Sequence, residues 1–582
     1  MTPTLGASSS DGAQMLTALV RLHGALQRTT LPLDTPAADE QRAALRDVVD
    51  QLEDYIIPRV TTLEAPMLVV VGGSTGAGKS TLVNSLVGRR VTQPGVLRPT
   101  TKSPVLVHNP ADRTWFGQDR LLPDLRRVDH ETTDQDALQL IASDTVPAGI
   151  ALLDAPDVDS VDERNRELAA QLLTAADLWL FVTSAARYAD QVPWEYLREA
   201  ADRSTAVAVV LDRTAPDAVQ TVSTHLARML ASRGLKDSPL FIVHEGTVTP
   251  EGLLPAAHVE DIRLWLESLA HDGGARSEVV RQTLEGTVRA LTLRVHPLAD
   301  AAAEQAAART RLQGAAETAY DEAAAALLSG ATDGSLVSGE LLTRWQEFVG
   351  TGELLRSLED KVGWLRDRVV NAVKGKPQQA ERVALTVEAA LEGAVLEHGA
   401  RAAEAAAAQW RERPEGAAAL SLAEERGSGP LGRVSGGLSR QAEDAVRAWQ
   451  QDVAELVRLA GADKRTTARF LVYGVPGLSV ALSVVALDEA DGDATAAGRR
   501  LLEAVFGLDT APALVQRARD ALEFRLADLL AGERRRWDAF LDGLGIEEEA
   551  ANDLRQAARR VDDVRFAAAR RTGEVSPDAH TP

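Results

Sequence analysis

One segment constrains this chain more than any other. The apolar, β-branched run Met67–Val71 enters Gly72-Gly73-Ser74-Thr75-Gly76-Ala77-Gly78-Lys79-Ser80-Thr81, and a helical stretch, Leu82–Val87, follows and stops at Gly88. Strand, G-x-x-x-x-G-K-S loop and helix, in that order, specify a phosphate-binding loop in an α/β sheet. Glycines let successive backbone N–H groups turn toward an anion, and the helix N-terminus adds partial positive charge. Lys79 is placed to reach β- and γ-phosphates, and the Ser80 hydroxyl to ligate Mg2+. Only seven of the 63 basic residues are lysines, so a lysine here is an uncommon choice for this chain. We therefore expect Gly73, Ser74, Thr75, Gly76, Ala77, Gly78, Lys79, Ser80 and Thr81 to hold a nucleotide.

Around this loop, short β-branched runs alternate with helix-length segments: Val105–His108, Gly149–Leu153, Leu178–Thr183, Ala206–Leu211 and Leu240–Val243. The alternation predicts an α/β domain over 66–272, a mostly parallel sheet with helices on both faces. Residues 1–15 read as a disordered N-terminus. Residues 16–65 show helical spacing, as at Leu45, Val48, Val49, Leu52 and Ile56, and are expected to join a helical bundle. Beyond Gly274, Ala-, Leu-, Glu- and Arg-rich stretches predict helices over 273–412 and 441–568, with a flexible Gly- and Pro-bearing loop at 413–440 between them and a disordered tail at 569–582.

Composition excludes several chemistries. With no cysteine among 582 residues there is no disulfide framework, Cys-zinc site or thiol catalysis. A net charge of −22 argues against DNA as a partner. An RNA or ribosome partner would need a basic domain that the sequence does not display. The N-terminus has neither basic n-region nor apolar h-region, which predicts a cytoplasmic chain, with peripheral placement at the inner face of the cell membrane as an option. The ten histidines lack metal-site spacing, and the nine tryptophans read as core.

The type of P-loop protein follows from what lies downstream. Leu152–Asp157, LLDAPD, superficially matches a transporter-ATPase Walker B, but Ser435–Gln441, the only signature-like stretch, follows it instead of preceding it. Arg98-Pro99-Thr100-Thr101-Lys102 resembles the first switch of bacterial dynamin-like and Era/TrmE-type GTPases, and Asp154-Ala155-Pro156-Asp157 stands where they carry D-x-P-G. Larger stretches, LLDAPDVDSV, ADLWLFVTSAARYAD and LLEAVFG, resemble an actinobacterial group of dynamin-like GTPases. The resemblance implies a G domain flanked by bundle helices, GTP and GDP as ligands, and Mg2+ held by Ser80, Thr101 and Asp154, with Lys79, Thr101 and Asp154 serving hydrolysis. It also implies self-association through the G domain and membrane contact. A soluble Era-like GTPase in ribosome assembly, or a nucleotide-binding scaffold with negligible hydrolysis, are the alternatives.

Three positions depart from that pattern. Asp157 replaces the second-switch glycine. Asp212-Arg213-Thr214-Ala215 stands for N/T-K-x-D, so Asp212 replaces the Asn and Ala215 the base-reading Asp, which leaves GTP against ATP open. Arg213 is expected to lay its stem over the base, and Asp217 is a substitute acceptor. Thr75-Gly76 stands where dynamins carry Gln-Ser and Era/TrmE types an Asn at Gly76, so the cation-assisted route of the latter is not supported. Thr75 and Asp157 are candidates for positioning water, while Asp157, Asp159 and Asp162 read as caps and solvated-loop residues. Slow turnover, accelerated by self-association, is expected. Finally, Phe470–Leu487 has eighteen residues without a charge, broken by Gly474-Val475-Pro476-Gly477. It fits a membrane-dipping hairpin and a buried bundle helix about equally.

Overall fold

Every β-branched run named above is a strand in the computed structural model, which describes residues 9–93, 103–118, 121–132, 134–160, 162–202, 205–350, 376–462, 468–488 and 493–572. Its strands are β1 (Met67–Gly73), β2 (Val105–His108), β3 (Arg126–Val128), β4 (Ala137–Ala142), β5 (Ile150–Asp154), β6 (Leu178–Ser184), β7 (Ala206–Thr214) and β8 (Leu240–His244). They form one sheet in the order β3-β4-β2-β5-β1-β6-β7-β8. All neighbours are parallel except β2 and β5. β3 and β4 were not predicted: Arg126-Arg127-Val128 is too short and polar to read as a strand, and both extend the sheet toward its edge.

β1 is buried on both faces, as a central parallel strand must be. Met67, Val69 and Val71 pack with Leu82, Val83 and Leu86 of α4 (Lys79–Val87) and with Val259, Ile262 and Leu266 of α8 (Ala256–His271). Leu68 and Val70 point to the other core, which holds α5 (Glu163–Thr174), α6 (Gln191–Asp202) and α7 (Val219–Ser232). α1 (Ser9–Arg28), α2 (Ala38–Gln51), a π-helical turn at Leu52–Ile56 and α3 (Ile57–Thr61) enter this same core through Leu19, Leu22, Val48, Tyr55 and Ile56. The helix already under way at Ser9 corrects the expectation of disorder to residue 15.

The chain divides into two compact units. One comprises residues 1–31, 39–303 and 547–582; the other comprises 32–38 and 304–546. The N-terminal helices lie in the same unit as the sheet, where their apolar stripes share its core with parts of two later helices. α9 (Gly273–Thr332) supplies Leu284, Val288, Leu291 and Val295 to that core, and α17 (Ala550–Thr572) supplies Leu554, Ala558 and Val561. A buried polar hub ties these pieces to β1. Asp177 accepts from the Leu68 N–H (2.8 Å) and the Tyr55 hydroxyl (3.0 Å), pairs with Arg59 (3.0 Å), and its backbone carbonyl accepts from Thr283 (3.1 Å).

The second unit is helical: α10 (Gly339–Val349), α11 (Lys376–Arg411), α12 (Pro414–Glu425), α13 (Leu438–Ala460), α14 (Ala468–Ala486), α15 (Asp493–Phe506) and α16 (Thr510–Asp542), with the latter part of α9. Among the described residues, Trp345, Trp410, Trp449 and Trp537 are core residues, and the indole N–H groups of two are met by carbonyls, Trp410 by Leu312 O (2.9 Å) and Trp449 by Ala518 O (2.7 Å). The 413–440 stretch is not one loop, since Pro414 opens α12 at a position where a missing N–H costs nothing. The apolar segment forms α14, kinked at Gly474, whose φ of 62° and ψ of −176° suit glycine alone. Leu478–Leu487 are buried in the helical core, the arrangement of the bundle-helix alternative of the two open for this segment. No helix among the described residues is long and apolar enough to cross a membrane.

Candidate nucleotide site

The loop leaves the C-terminal end of β1, between the parallel neighbours β5 and β6, where open α/β sheets gather ligands. Val71 is in register with Asp154 and Gly73 with Val182. Gly73 has φ +143°, and a Cβ there would lie 2.0 Å from the Val182 carbonyl oxygen, so this approach admits only glycine. Gly76 and Gly78 are also left-handed (φ +74° and +99°), and Gly78 begins α4 as its N-cap. Ser74 and Ala77 are buried, the latter turned by an N–H bond to Ser74 O (3.1 Å). Thr81, in the first turn of α4, accepts from Ser85 through its carbonyl (2.6 Å).

Lys79 is buried at the start of α4. Its ammonium donates to the carbonyls of Gly73 (3.0 Å) and Ser74 (3.1 Å) and pairs with the Asp157 carboxylate. Ser80 donates to Asp154 Oδ2 (2.7 Å), and so does Thr92 (2.7 Å). Asp154 is fully buried and its Oδ1 has no hydrogen-bond partner among the described residues. Burial pushes its carboxyl up from the ordinary range, while the Thr92 and Ser80 hydroxyls and the nearby Lys79 ammonium pull it down. A hydroxyl beside a carboxylate with an unused, desolvated oxygen suits a hard divalent cation, so Ser80 and Asp154 fit Mg2+. Thr101 lies outside the described residues.

The turn after β5 corrects the reading of its aspartates. Val158 is buried in the core and its N–H reaches Gly73 O (3.4 Å), which sets Asp157 and Asp159 on either side against the loop. Each carboxylate is only 12% exposed. Asp159 Oδ1 accepts from the Thr75 N–H (2.6 Å) and hydroxyl (2.7 Å), and Oδ2 pairs with Arg187 (2.9 Å). Arg187, on the turn following β6, also donates to Thr75 O (2.8 Å) and pairs with Asp190 (3.0 Å). Only Asp162 acts as a cap, accepting from Arg164 N–H at the start of α5 (3.1 Å).

On the base side, Asp212 ends the pairing of β6 with β7 and lies against the loop: a Cβ on Gly78 would be 2.1 Å from its Oδ2. Burial pushes its carboxyl up to about 6, opposed by the Arg213 N–H (2.8 Å) and guanidinium. Arg213 is exposed with φ +53°, and Asp217 is exposed in the next turn. The structure thus gathers the loop, Asp154 and Asp212 at one sheet edge. Sequence reasoning missed Thr92 and Arg187 and misread Asp159. Arg187 had a signal, its place inside the quoted SAARYAD stretch; Thr92 had none, being apart from any motif.

Residues 69–213 match the model of the dynamin family. Over 143 residues the chain is 25% identical to an Arabidopsis thaliana chloroplast protein described as "Probable transmembrane GTPase FZO-like", covering 25% of this chain and 14% of that relative. Two solved structures of an oligomerised bacterial dynamin pair, described as sensing and tethering membranes over long range, are also similar. One is 11% identical with a TM-score of 0.38, covering 97% of this chain and 96% of that one. The other is 10% identical with a TM-score of 0.40, covering 98% and 96%. The α/β part of this chain, on the strength of the family match over its strands β1 to β7, is a dynamin-family GTPase domain.

Proposed function

We propose that this chain binds GTP and hydrolyses it to GDP and phosphate with Mg2+, and that the cycle is coupled to movement of its helices, self-association and membrane contact. The observation that carries the reading is the loop itself: Lys79 buried at its helix with its ammonium on an anion, beside the Ser80–Asp154 pair. Lys79 would exchange the Asp157 carboxylate for phosphate oxygens, and the loop N–H groups would orient them. Ser80 and Asp154 would hold Mg2+, with Thr101 as the expected third ligand; the ion supplies charge neutralisation on the phosphates. Phosphoryl transfer relies on such positioning and neutralisation, so the changed base motif weakens selection of the base more than the reaction. This is the mechanism expected of the actinobacterial dynamin-like group the sequence resembles. A scaffold role with negligible hydrolysis is the second reading, favoured by Asp157 competing for Lys79.

Membrane contact through Phe470–Leu487 would require Leu478–Leu487 to leave the helical core. The test is turnover of GTP against ATP, with and without anionic liposomes, using Lys79→Ala as the control. We expect GTP turnover that rises with protein concentration and falls at least about tenfold in Lys79→Ala. Preference for ATP would overturn the base assignment. Failure to float with liposomes, with or without nucleotide, would remove the membrane part.

A further inference from the structure

We infer that Arg187 is a catalytic residue of this site, a guanidinium supplied in cis to the terminal phosphoryl group, and that Asp159 is the anion it exchanges for that group. The inference rests on the nucleotide reading above and goes beyond it in naming the group that carries transition-state charge. Three donors converge at the mouth of the loop: the Lys79 ammonium, the Thr75 N–H with its hydroxyl, and the Arg187 guanidinium. Each is engaged by a carboxylate of the same short turn, Asp157 or Asp159. Carboxylate and phosphoryl oxygens are acceptors of the same charge sign and ask for the same charge-assisted donors. Donors that one carboxylate bridges, as Asp159 bridges Thr75 and Arg187 at 2.6 to 2.9 Å, are spaced for the two oxygens of a single anionic group.

Arg187 is also held in place by this chain alone. Its Nη1 donates to Thr75 O (2.8 Å), its Nε pairs with Asp190 (3.0 Å), and its backbone N–H is tied to Ser184 O (3.0 Å) at the end of β6. A planar guanidinium held through Nε and Nη1 keeps further N–H donors for an anion, which a lysine at the same place would not match. In the reaction the oxygen of water bonds to the terminal phosphorus and the bond from that phosphorus to the bridging oxygen breaks. Its electron pair stays with the diphosphate, one proton of the attacking water passes to solvent, and the other stays on the inorganic phosphate. Arg187 stays protonated throughout and donates to the oxygens on which charge accumulates.

The test compares the full chain with Arg187→Ala, Arg187→Lys and Asp159→Asn for GDP binding, steady-state GTP turnover and rescue by added guanidinium at millimolar concentration. For Arg187→Ala we expect GDP affinity within about twofold of wild type and kcat lower by about a hundredfold or more. Guanidinium should restore part of that loss, and Arg187→Lys should fall between. Asp159→Asn should keep or tighten GTP binding. Wild-type kcat in Arg187→Ala would overturn the inference while leaving the GTPase reading intact. Loss of GDP binding in both Arg187 variants would make the residue structural and overturn it as well. A wild-type chain that binds GDP but turns over no GTP would overturn both.

Discussion

Two buried aspartates make this protein sensitive to mild acid in an unusual direction. Burial pushes Asp54 up to about 6, with the Gln171 amide (2.7 Å) opposing it, and Asp212 likewise to about 6. In the unfolded chain both release their protons near the ordinary 3.8. Between about pH 4 and 6 the folded form thus holds more protons, so their contribution to stability falls as pH rises through that window and is flat above it. Asp54→Asn removes an ionised buried carboxylate and should stabilise the chain by about 2 to 3 kcal/mol at pH 7, with little effect at pH 4. Urea unfolding of the two chains at both pH values measures this; an equal gain at each pH would contradict it. At this scale the sequence marked Lys79 and Ser80 through the contiguous loop motif and Asp154 through the separate LLDAPD stretch. It could not mark Thr92 or pair Asp157 with Lys79, since those contacts exist only after β5 has been placed beside β1.

At the scale of elements, the site depends on how closely β1 approaches β6. The Gly73 backbone passes so near Val182 that any side chain would drive the two strands apart just where the loop begins. Gly73→Ala should therefore lose nucleotide binding at least about tenfold and destabilise the sheet by about 2 kcal/mol or more, from a φ that L-residues rarely adopt and a clash with backbone. Gly88, also left-handed but with open space around its Cβ position, is the matched control: Gly88→Ala should cost only about 1 kcal/mol and leave binding intact. Fluorescent nucleotide titration and thermal unfolding separate the two. The same logic explains what was legible in the elements. Strands with long apolar runs declared themselves, whereas β4 gains its place from pairing with β2, and β3 from pairing with β4, which no local pattern encodes. The apolar stretch at α14 gave its break at Gly474 correctly but not its surroundings, because length and hydropathy alone do not distinguish protein interior from lipid.

At the scale of the whole molecule, the matched segment 69–213 and the folded unit are different objects. The unit draws on residues well outside that segment, on both sides of it, and the hub at Asp177 shows why. Its carboxylate, lodged beneath β1, is answered from before the first strand by Tyr55 and Arg59, and its carbonyl is met from α9 by Thr283. A shortened chain beginning at Met67 would strand that carboxylate in an apolar interior without its cation, a defect worth about 3 to 5 kcal/mol. We expect such a chain to be insoluble or to lack cooperative unfolding, and co-expression of residues 1–66 as a separate piece to restore solubility. The family match of this protein covers one contiguous stretch of sequence, whereas the ability to fold is distributed. Anyone grafting, swapping or trimming this GTPase domain would have to carry both flanks along with it.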